Sequence, residues 1–263
     1  GSAFGLAHHT LGALSTPFTI IATVGLINAL NMADGIDGAA GGLTLAALAM
    51  LTAAALYAGA GGLASGLTLM IGATAAFLAY NLRTPWRPRA KVFLGNAGSE
   101  FLGLLIAWAS FRLTQNPAHP VNPVLAPFLI APPVIDCLVL IARRLRAGRS
   151  PFTADRNHVH HLLLDAGFST TGATTTIVAA SIGLGAVAAL AMRAHVPQTL
   201  FILGFLGLTI GHYALTAHRE RSIAVFSRLA NARGAPARAS SDPGWRANEA
   251  SRRSGAGGRA HLR

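Results

Sequence analysis

Residues 43–81 read LTLAALAMLTAAALYAGAGGLASGLTLMIGATAAFLAYN, a stretch without a single charged side chain. It contains two apolar runs, each close to the roughly 20 residues that a helix needs to cross the hydrocarbon core of a bilayer. The glycine-rich segment 59–62 between them is long enough only for a tight turn. The stretch therefore predicts a hairpin of two transmembrane helices.

Similar apolar runs lie on both sides of this hairpin, and the composition of the chain agrees with them. Its 263 residues are 52% hydrophobic and 11% charged, whereas a soluble domain has about a quarter charged residues. The sequence predicts an all-α polytopic integral membrane helix bundle. Its seven transmembrane helices are expected at about 11–30, 43–60, 63–81, 99–114, 122–142, 173–192 and 198–216. Pro132 and Pro133 should bend the fifth, because proline removes a backbone hydrogen-bond donor.

The net charge of +12 is unevenly distributed along the chain. Arginine and lysine gather in segments 82–98, 143–172 and 219–263, and cytoplasmic loops of membrane proteins carry such an excess. With seven crossings these segments fall on the same face as residues 31–42, which we expect to be cytoplasmic. Because the charges flank apolar spans and do not form a soluble basic face, nucleic-acid binding is not expected.

The chain divides into two predicted regions. Residues 1–218 form the transmembrane domain. Residues 219–263 are rich in Ala, Arg, Ser and Gly, so they are predicted to form a basic, disordered cytoplasmic tail. Its arginines suit anionic headgroups, which makes membrane lipids an expected partner. Cys137 is the single cysteine, so no intrachain disulfide can form.

The first polar segment, residues 28–43, lies between the first two apolar runs. It reads NALNMADGIDGAAGGL and contains Asn31, Asp34 and Asp37, two of the nine acidic residues of the chain among them. Acids at the edge of a hydrocarbon phase are costly unless they meet a cavity, a cation or a partner. Their oxygens suit a hard cation such as Mg²⁺. A glycine-rich turn whose aspartates cap the next helix is the simpler alternative.

The second polar segment, residues 91–101, precedes the fourth apolar run. It reads KVFLGNAGSEF and contains Lys91, Asn96 and Ser99. Ser99 is predicted as the N-cap of the next helix, and a helix N-terminus preceded by glycines is a natural phosphate site. A cap plus a lysine that anchors the membrane interface is the alternative.

The third polar segment, residues 150–167, reads SPFTADRNHVHHLLLDAG. It contains Arg156 and the histidines His158, His160 and His161. Zn²⁺ is not favoured, because no cysteine or HExxH pattern supplies the remaining ligands. Arginine is a bidentate phosphate partner, so the segment is predicted to anchor a pyrophosphate or a sugar. A solvated basic loop is the alternative.

The three polar segments, in this order and spacing, resemble the signatures of polyprenyl-phosphate N-acetylhexosamine-1-phosphate transferases of glycosyltransferase family 4. The resemblance covers about residues 15–215 and is nearest to the undecaprenyl-phosphate GlcNAc-1-phosphate transferases of bacterial lipopolysaccharide and cell-wall glycan assembly. It implies transfer of a sugar 1-phosphate from a UDP-N-acetylhexosamine to undecaprenyl phosphate, with release of UMP, at the bacterial inner membrane. The implied cofactor is Mg²⁺, with Mn²⁺ as the alternative, and a homodimer is compatible with the resemblance.

The same resemblance implies roles for individual residues. Asp34 and Asp37 would be catalytic, and Asp37 and Asn96 would be metal ligands. The implied substrate-binding residues are Asn31, Lys91, Arg156, His158, His160 and His161.

Two departures from the family pattern are visible in the sequence. The family has an Asp-Asp pair upstream of the region that matches here, and this chain contains no Asp-Asp, so we expect it to be an N-terminally truncated member. Asn96 stands where the family has an aspartate, so we expect impaired activity. The alternatives are a non-catalytic remnant that binds nucleotide sugars in the membrane, and an ion-coupled transporter that uses Asp34, Asp37 and Asp136.

Overall fold

The computed structural model describes residues 12–115, 121–151 and 157–232. Within these ranges the chain is helical, and its only extended pairing is an isolated bridge between Thr84 and Arg87. The predicted all-α class is therefore confirmed. The α-helices are α1 Ser15–Ala33, α2 Ala39–Tyr57, α3 Gly61–Asn81, α4 Gly95–Thr114, α5 Ala126–Leu129, α6 Ala131–Arg146, α7 Val159–Asp165, α8 Thr170–Arg193, α9 Gln198–Leu215 and α10 Arg219–Ala232.

The predicted hairpin is formed by α2 and α3. Gly59 has φ +72°, and the N–H of Ala60 donates to the carbonyl oxygen of Ala55 at 2.8 Å. A left-handed glycine followed by such a bond is a common way to end a helix. The turn predicted at 59–62 is thus confirmed.

Every predicted span coincides with helix, but not every helix has the composition of a span. Within the described residues α1, α2, α3, α8 and α9 are long and apolar enough to cross a membrane, and the bent pair α5–α6 adds a sixth span if it crosses as one. The polytopic class is confirmed, whereas the count of seven is not. The exception is α4, whose ends carry Asn96, Glu100 and Arg112.

The predicted bend in the fifth span is present. The segment Pro123–Leu129 and helix α6 meet at 85°, with the break at Ile130. Pro132 and Pro133 lie in the first turn of α6, where a missing N–H leaves no hydrogen bond unmade. The break also frees the carbonyl oxygen of Leu129, which accepts a hydrogen bond from the Ser181 hydroxyl at 2.7 Å.

The centre of the bundle is α2, which packs against α3, α4 and α8. Its Leu43 and Leu48 are fully buried. Small residues bring other helices close together: a Cβ on Gly103 of α4 would lie 2.8 Å from the Cα of Ile27 on α1. Close approach at glycine is the usual means of packing helices in lipid, where burial from water gives no driving force.

The region 219–263 departs from the prediction of disorder in its first fourteen residues, which form α10. Ile223 and Phe226 pack against the core and Ala230 is buried. The spacing 223, 226, 230 places these side chains on one face of a helix. The prediction missed α10 because this short apolar face is outnumbered by Arg, Ser and Ala. The rest of the predicted tail lies outside the described residues.

Candidate active site

The first polar segment forms a tight turn between α1 and α2. Asp34 directly follows α1, and Gly38 directly precedes α2 with φ +81°. The N–H of Gly38 donates to the Asn81 side-chain oxygen at 2.8 Å, and the Asn81 amide donates to the carbonyl oxygen of Val92 at 2.8 Å. The end of α3 and the loop before α4 therefore fix the conformation of this turn.

We expect Gly38→Ala to destabilise the protein by about 1–2 kcal/mol, because alanine is strained in the left-handed conformation. The new Cβ would also lie 2.4 Å from Cδ2 of Leu82. Thermal unfolding in detergent would measure the loss. Gly62→Ala is the matched control, since its Cβ meets nothing within 4 Å and alanine favours the helix. Equal melting temperatures for the two variants would contradict the assignment of Gly38 as a required left-handed residue.

Asp34 lies at the N-terminus of α4. Its carboxylate accepts a hydrogen bond from the N–H of Gly95. The pKa of Asp34 is raised to about 6, chiefly by burial; the Gly95 N–H lowers this pKa in part, and the nearby charge of Asp37 raises it. A half-buried carboxylate with a like-charged neighbour is an environment that a bound cation would relieve.

Asn31 gives the first and second polar segments another contact. Its side-chain amide donates to the Ser99 hydroxyl at 2.9 Å. Ser99 is fully buried and donates in turn to the carbonyl oxygen of Gly95 at 3.0 Å. The prediction that Ser99 is the N-cap was wrong, because α4 begins four residues earlier, at Gly95.

Asp37 forms an ion pair that the sequence reading did not identify. The Nε of Arg83 lies 2.6 Å from Oδ2 of Asp37. Arg83 follows α3 and belongs to the basic segment 82–98, which in the sequence predicts only the cytoplasmic side. A pairing over 46 residues has no local signal in the sequence, although an arginine directly after a helix that returns to the acidic turn could have suggested it.

The third polar segment reaches the first through His160. A Cβ on Gly35 would lie 2.5 Å from Nε2 of this histidine, so glycine is needed for the contact. The rings of His158 and His160 are stacked, with centroids 5.6 Å apart, and the centroids of His160 and His161 are 4.2 Å apart. The three histidines therefore form one cluster above the acidic turn.

His160 is neutral at physiological pH. Burial lowers its pKa to about 4, with smaller contributions from His161 and His158. A neutral imidazole donates and accepts one hydrogen bond each, so His160 is suited to recognising a polar group and not to attracting a phosphate by charge.

We expect the ring resonances of His160 to stay constant from pH 8 to pH 5 and to titrate only near pH 4 in ¹⁵N spectra. Because the folded pKa lies below the ordinary histidine value of 6.5, stability from the neutral ring is present above about pH 6.5 and falls as the pH drops toward 4. Comparison with His160→Gln identifies the signal. A titration of that signal near pH 6.5 would show that the ring is not buried against Gly35.

Asp136 and His212 are joined to the histidine cluster through His158. Nδ1 of His158 lies 2.9 Å from Oδ2 of Asp136, and Nε2 of His212 lies 3.1 Å from Oδ1. A narrow cleft beside them is lined by residues that include Ala33, Asp136 and His160. An ion-coupled transporter would need its acidic residues spread along a path through the membrane. Asp34, Asp37 and Asp136 instead lie near one end of the helices, which favours a localised site.

The remaining predicted site residues are Lys91, Asn96 and Arg156. Lys91 and Asn96 are exposed, and Arg156 lies outside the described residues. Among the residues that the structure describes, no group of three or more His, Cys, Asp or Glu side chains could hold a metal ion. Asn96, which the resemblance implies as a metal ligand, directly follows Gly95, whose N–H bonds to Asp34.

Comparison with known proteins indicates the family to which the sequence is similar. The sequence model of glycosyl transferase family 4 matches residues 1–114. The chain is 39% identical over 211 residues to the undecaprenyl-phosphate alpha-N-acetylglucosaminyl 1-phosphate transferase of Escherichia coli O157:H7, over 78% of this chain and 57% of the relative. The proteins of the same name from Yersinia pestis and Haemophilus influenzae are each 38% identical, over 78% of this chain and 58% of each relative.

Residues 1–114 of this chain thus match glycosyl transferase family 4. The recognition made from the three polar segments is therefore confirmed. The matched residues 1–114 include Asp34, Asp37, Lys91 and Asn96. The chain spans rather more than half the length of the relatives it matches, and those relatives are named as undecaprenyl-phosphate alpha-N-acetylglucosaminyl 1-phosphate transferases.

Proposed function

We propose that the protein contributes to Mg²⁺-dependent transfer of N-acetylhexosamine 1-phosphate from a UDP-sugar to undecaprenyl phosphate, with release of UMP. The observation that carries the proposal is the convergence of the polar segments. Asp34 accepts the Gly95 N–H, and His160 lies against Gly35. Acids, a helix N-terminus and imidazoles meet at one end of an apolar bundle, where a water-soluble donor and a lipid acceptor could both reach them.

The residues at the turn are compatible with Mg²⁺. Asp34 and Asp37 repel each other, and Asn96 adds an amide oxygen directly after Gly95. Oxygen donors of this kind, with water completing the shell, are what Mg²⁺ prefers. When bound, the ion would neutralise charge on the pyrophosphate of the donor.

The side chains at the turn supply the proton chemistry. In the proposed reaction an oxygen of the lipid phosphate bonds to the sugar-linked phosphorus of the donor, and the bond from that phosphorus to the bridging oxygen breaks as UMP leaves. Asp34 accepts the proton of the lipid phosphate, because a carboxylate with a pKa of about 6 is ionised yet basic at neutral pH.

The N-terminus of α4 and the basic side chains position the phosphates. Free backbone N–H groups at a helix start bind anions, and Lys91 is exposed near that start. Neutral His160, with His158 and His161, recognises polar groups of the sugar or nucleotide. In phosphoryl transfer such positioning and charge stabilisation account for most of the catalysis. The site is proposed to face the cytoplasm at the bacterial inner membrane.

One observation favours a second function, that of a non-catalytic membrane protein that binds nucleotide sugars. Asp37 is already paired with Arg83 at 2.6 Å, and Asn96 brings no charge. Both features weaken a cation site while leaving the helix N-terminus and the histidines intact. This function predicts UDP-sugar binding without turnover.

The test is UMP release from UDP-GlcNAc in membranes that contain the chain, undecaprenyl phosphate and Mg²⁺. The chain and its Asn96→Asp variant are each assayed with and without a co-expressed N-terminal segment from a relative. Activity in any arm that Asp37→Asn abolishes supports the transferase. UDP-sugar binding without UMP release in every arm would instead establish the binding protein.

A further inference from the structure

The carboxylate of Asp136 is buried in α6 with only 4% of the residue exposed. Oδ2 accepts from Nδ1 of His158 at 2.9 Å. Oδ1 accepts from the N–H of Val159 at 3.2 Å and from Nε2 of His212 at 3.1 Å. A buried charge is costly unless it is fully hydrogen-bonded, and here three donors satisfy both oxygens.

These donors come from separate parts of the chain. His158 and Val159 lie at the start of α7, 22 and 23 residues after Asp136, and His212 lies in the last turns of α9, 76 residues after it. Asp136 therefore joins α6, α7 and α9 at a single point beside the histidine cluster. Asp136 takes part neither in the ion pair between Asp37 and Arg83 nor in the proposed phosphate site at the N-terminus of α4.

We propose that Asp136 and His212 are positioning residues that fix the tautomer and ring plane of His158, and through it the histidine stack that lies over Gly35. An ionised carboxylate only accepts hydrogen bonds, so the ring nitrogens that face it carry protons. His158 is then the Nδ1–H tautomer, and its Nε2 is left as an acceptor. The stacked ring of His160 takes its orientation from His158, at an interplanar angle of 11°.

His212 has a distinct part in this arrangement. Its Nε2 bonds to Oδ1 of Asp136, the oxygen that does not face His158. This bond prevents the carboxylate from rotating away from His158. Carboxylates that orient a functional histidine through its distal nitrogen are a recurring arrangement in proteins. Here the carboxylate of Asp136 is itself oriented by His212, which lies 76 residues later in the chain.

The direct test uses ¹⁵N-histidine spectra of the full chain in detergent micelles at pH 7.5. The signals are assigned with His158→Gln, His160→Gln and His212→Gln. We expect His158 as the Nδ1–H tautomer and His212 as the Nε2–H tautomer. In Asp136→Asn at least one of the two rings should switch tautomer, because an amide presents one acceptor and one donor. His158 as the Nε2–H tautomer in the parent chain would overturn the proposal.

A matched set at position 212 keeps the test valid if Asp136→Asn does not fold. His212→Phe retains a ring without a donor and should shift the His158 and His160 signals, whereas His212→Gln retains an amide donor and should shift them less. His218→Gln is the control, since His218 is exposed, and it should leave them unchanged. Equal effects of His212→Phe and His218→Gln would contradict the proposal.

The kinetic consequence rests on the proposed function, whereas the spectra do not. Where UMP release is measurable, Asp136→Asn should lower kcat by about 10–100-fold, with a smaller change in KM for the UDP-sugar. Rescue of kcat by His212→Gln relative to His212→Phe supports positioning. If no arm of the UMP-release assay shows activity, the transferase proposal fails, and the tautomers still decide whether Asp136 and His212 position His158.

Discussion

Asp34→Asn is expected to lower UMP release by about 10²–10⁴-fold, the range for loss of a general base, and at the same time to raise the melting temperature at pH 8. The two effects have one cause. Burial and the charge of Asp37 raise the pKa of Asp34 from 3.8 to about 6. The ionised form that the chemistry requires is therefore the form that the fold disfavours.

The raised pKa of Asp34 determines how the melting temperatures of Asp34→Asn and the parent differ with pH. Because the folded pKa lies above the unfolded value, stability from the protonated Asp34 is fully present below about pH 3.8 and is lost as the pH rises through about 6. An asparagine does not undergo this loss. The melting temperatures of variant and parent should thus be similar at pH 4 and diverge at pH 8.

Glu100→Gln serves as the control for Asp34→Asn. Glu100 is exposed on α4, so removing its charge should change neither UMP release nor the pH dependence of melting. A gain of the same size at pH 4 and pH 8 in Asp34→Asn would show that the pKa is not raised. Unchanged UMP release would remove Asp34 from the proposed chemistry. The melting experiment needs no activity and can be done on the chain alone.

Asn96→Asp is expected to tighten Mg²⁺ binding by about tenfold, since each added charged oxygen ligand strengthens a site for a hard cation. Asn96 follows Gly95, whose N–H contacts Asp34, so the new carboxylate would join two existing ones. Without Mg²⁺ it repels Asp34, but the positive end of the helix dipole offsets part of this repulsion.

The measurement for Asn96→Asp is the rise in melting temperature on adding Mg²⁺, which grows with affinity for the folded state. Gln115→Glu is the matched control, because it adds the same charge at the opposite end of α4. A Mg²⁺-dependent rise in Asn96→Asp that does not exceed the rises in the parent and in Gln115→Glu would place the cation elsewhere. A larger rise with no gain in UMP release would favour the binding protein.

The fold could be predicted from the sequence to the extent that lipid dictates it. A helix that crosses a bilayer needs a long apolar run, so the hairpin at 43–81 and the approximate positions of the helices could be predicted from the apolar runs. The bend before Pro132 followed from the chemistry of proline. By contrast, α4 has a polar N-terminal end beside Asp34 and carries Arg112 in its last turn, and a rule based on apolar length alone does not classify it as a span.

The candidate site was predicted in its parts but not in its connections. Asp34, Asp37 and the histidines were chosen because polar groups are rare in an apolar chain. Arg83 and His212 were not chosen, since their partners are 46 and 76 residues away and only the packing of helices brings them together. The N-terminus of α4 was misplaced for a similar reason: the Ser99 hydroxyl bonds within its own helix and to Asn31.

Helix α10 determines when the site can be completed during synthesis. Arg219 pairs with Asp165 of α7 and donates to Asn157, and the Ser227 hydroxyl donates to the carbonyl oxygen of Ala166 at 3.1 Å. A chain emerges from the ribosome N-terminus first, so the acidic turn and α4 can meet long before these contacts exist. Helix α7, which carries His160 and His161, is covered by α10 only after residues 219–232 have been synthesised. Helix α7 is therefore the last part of the site to mature.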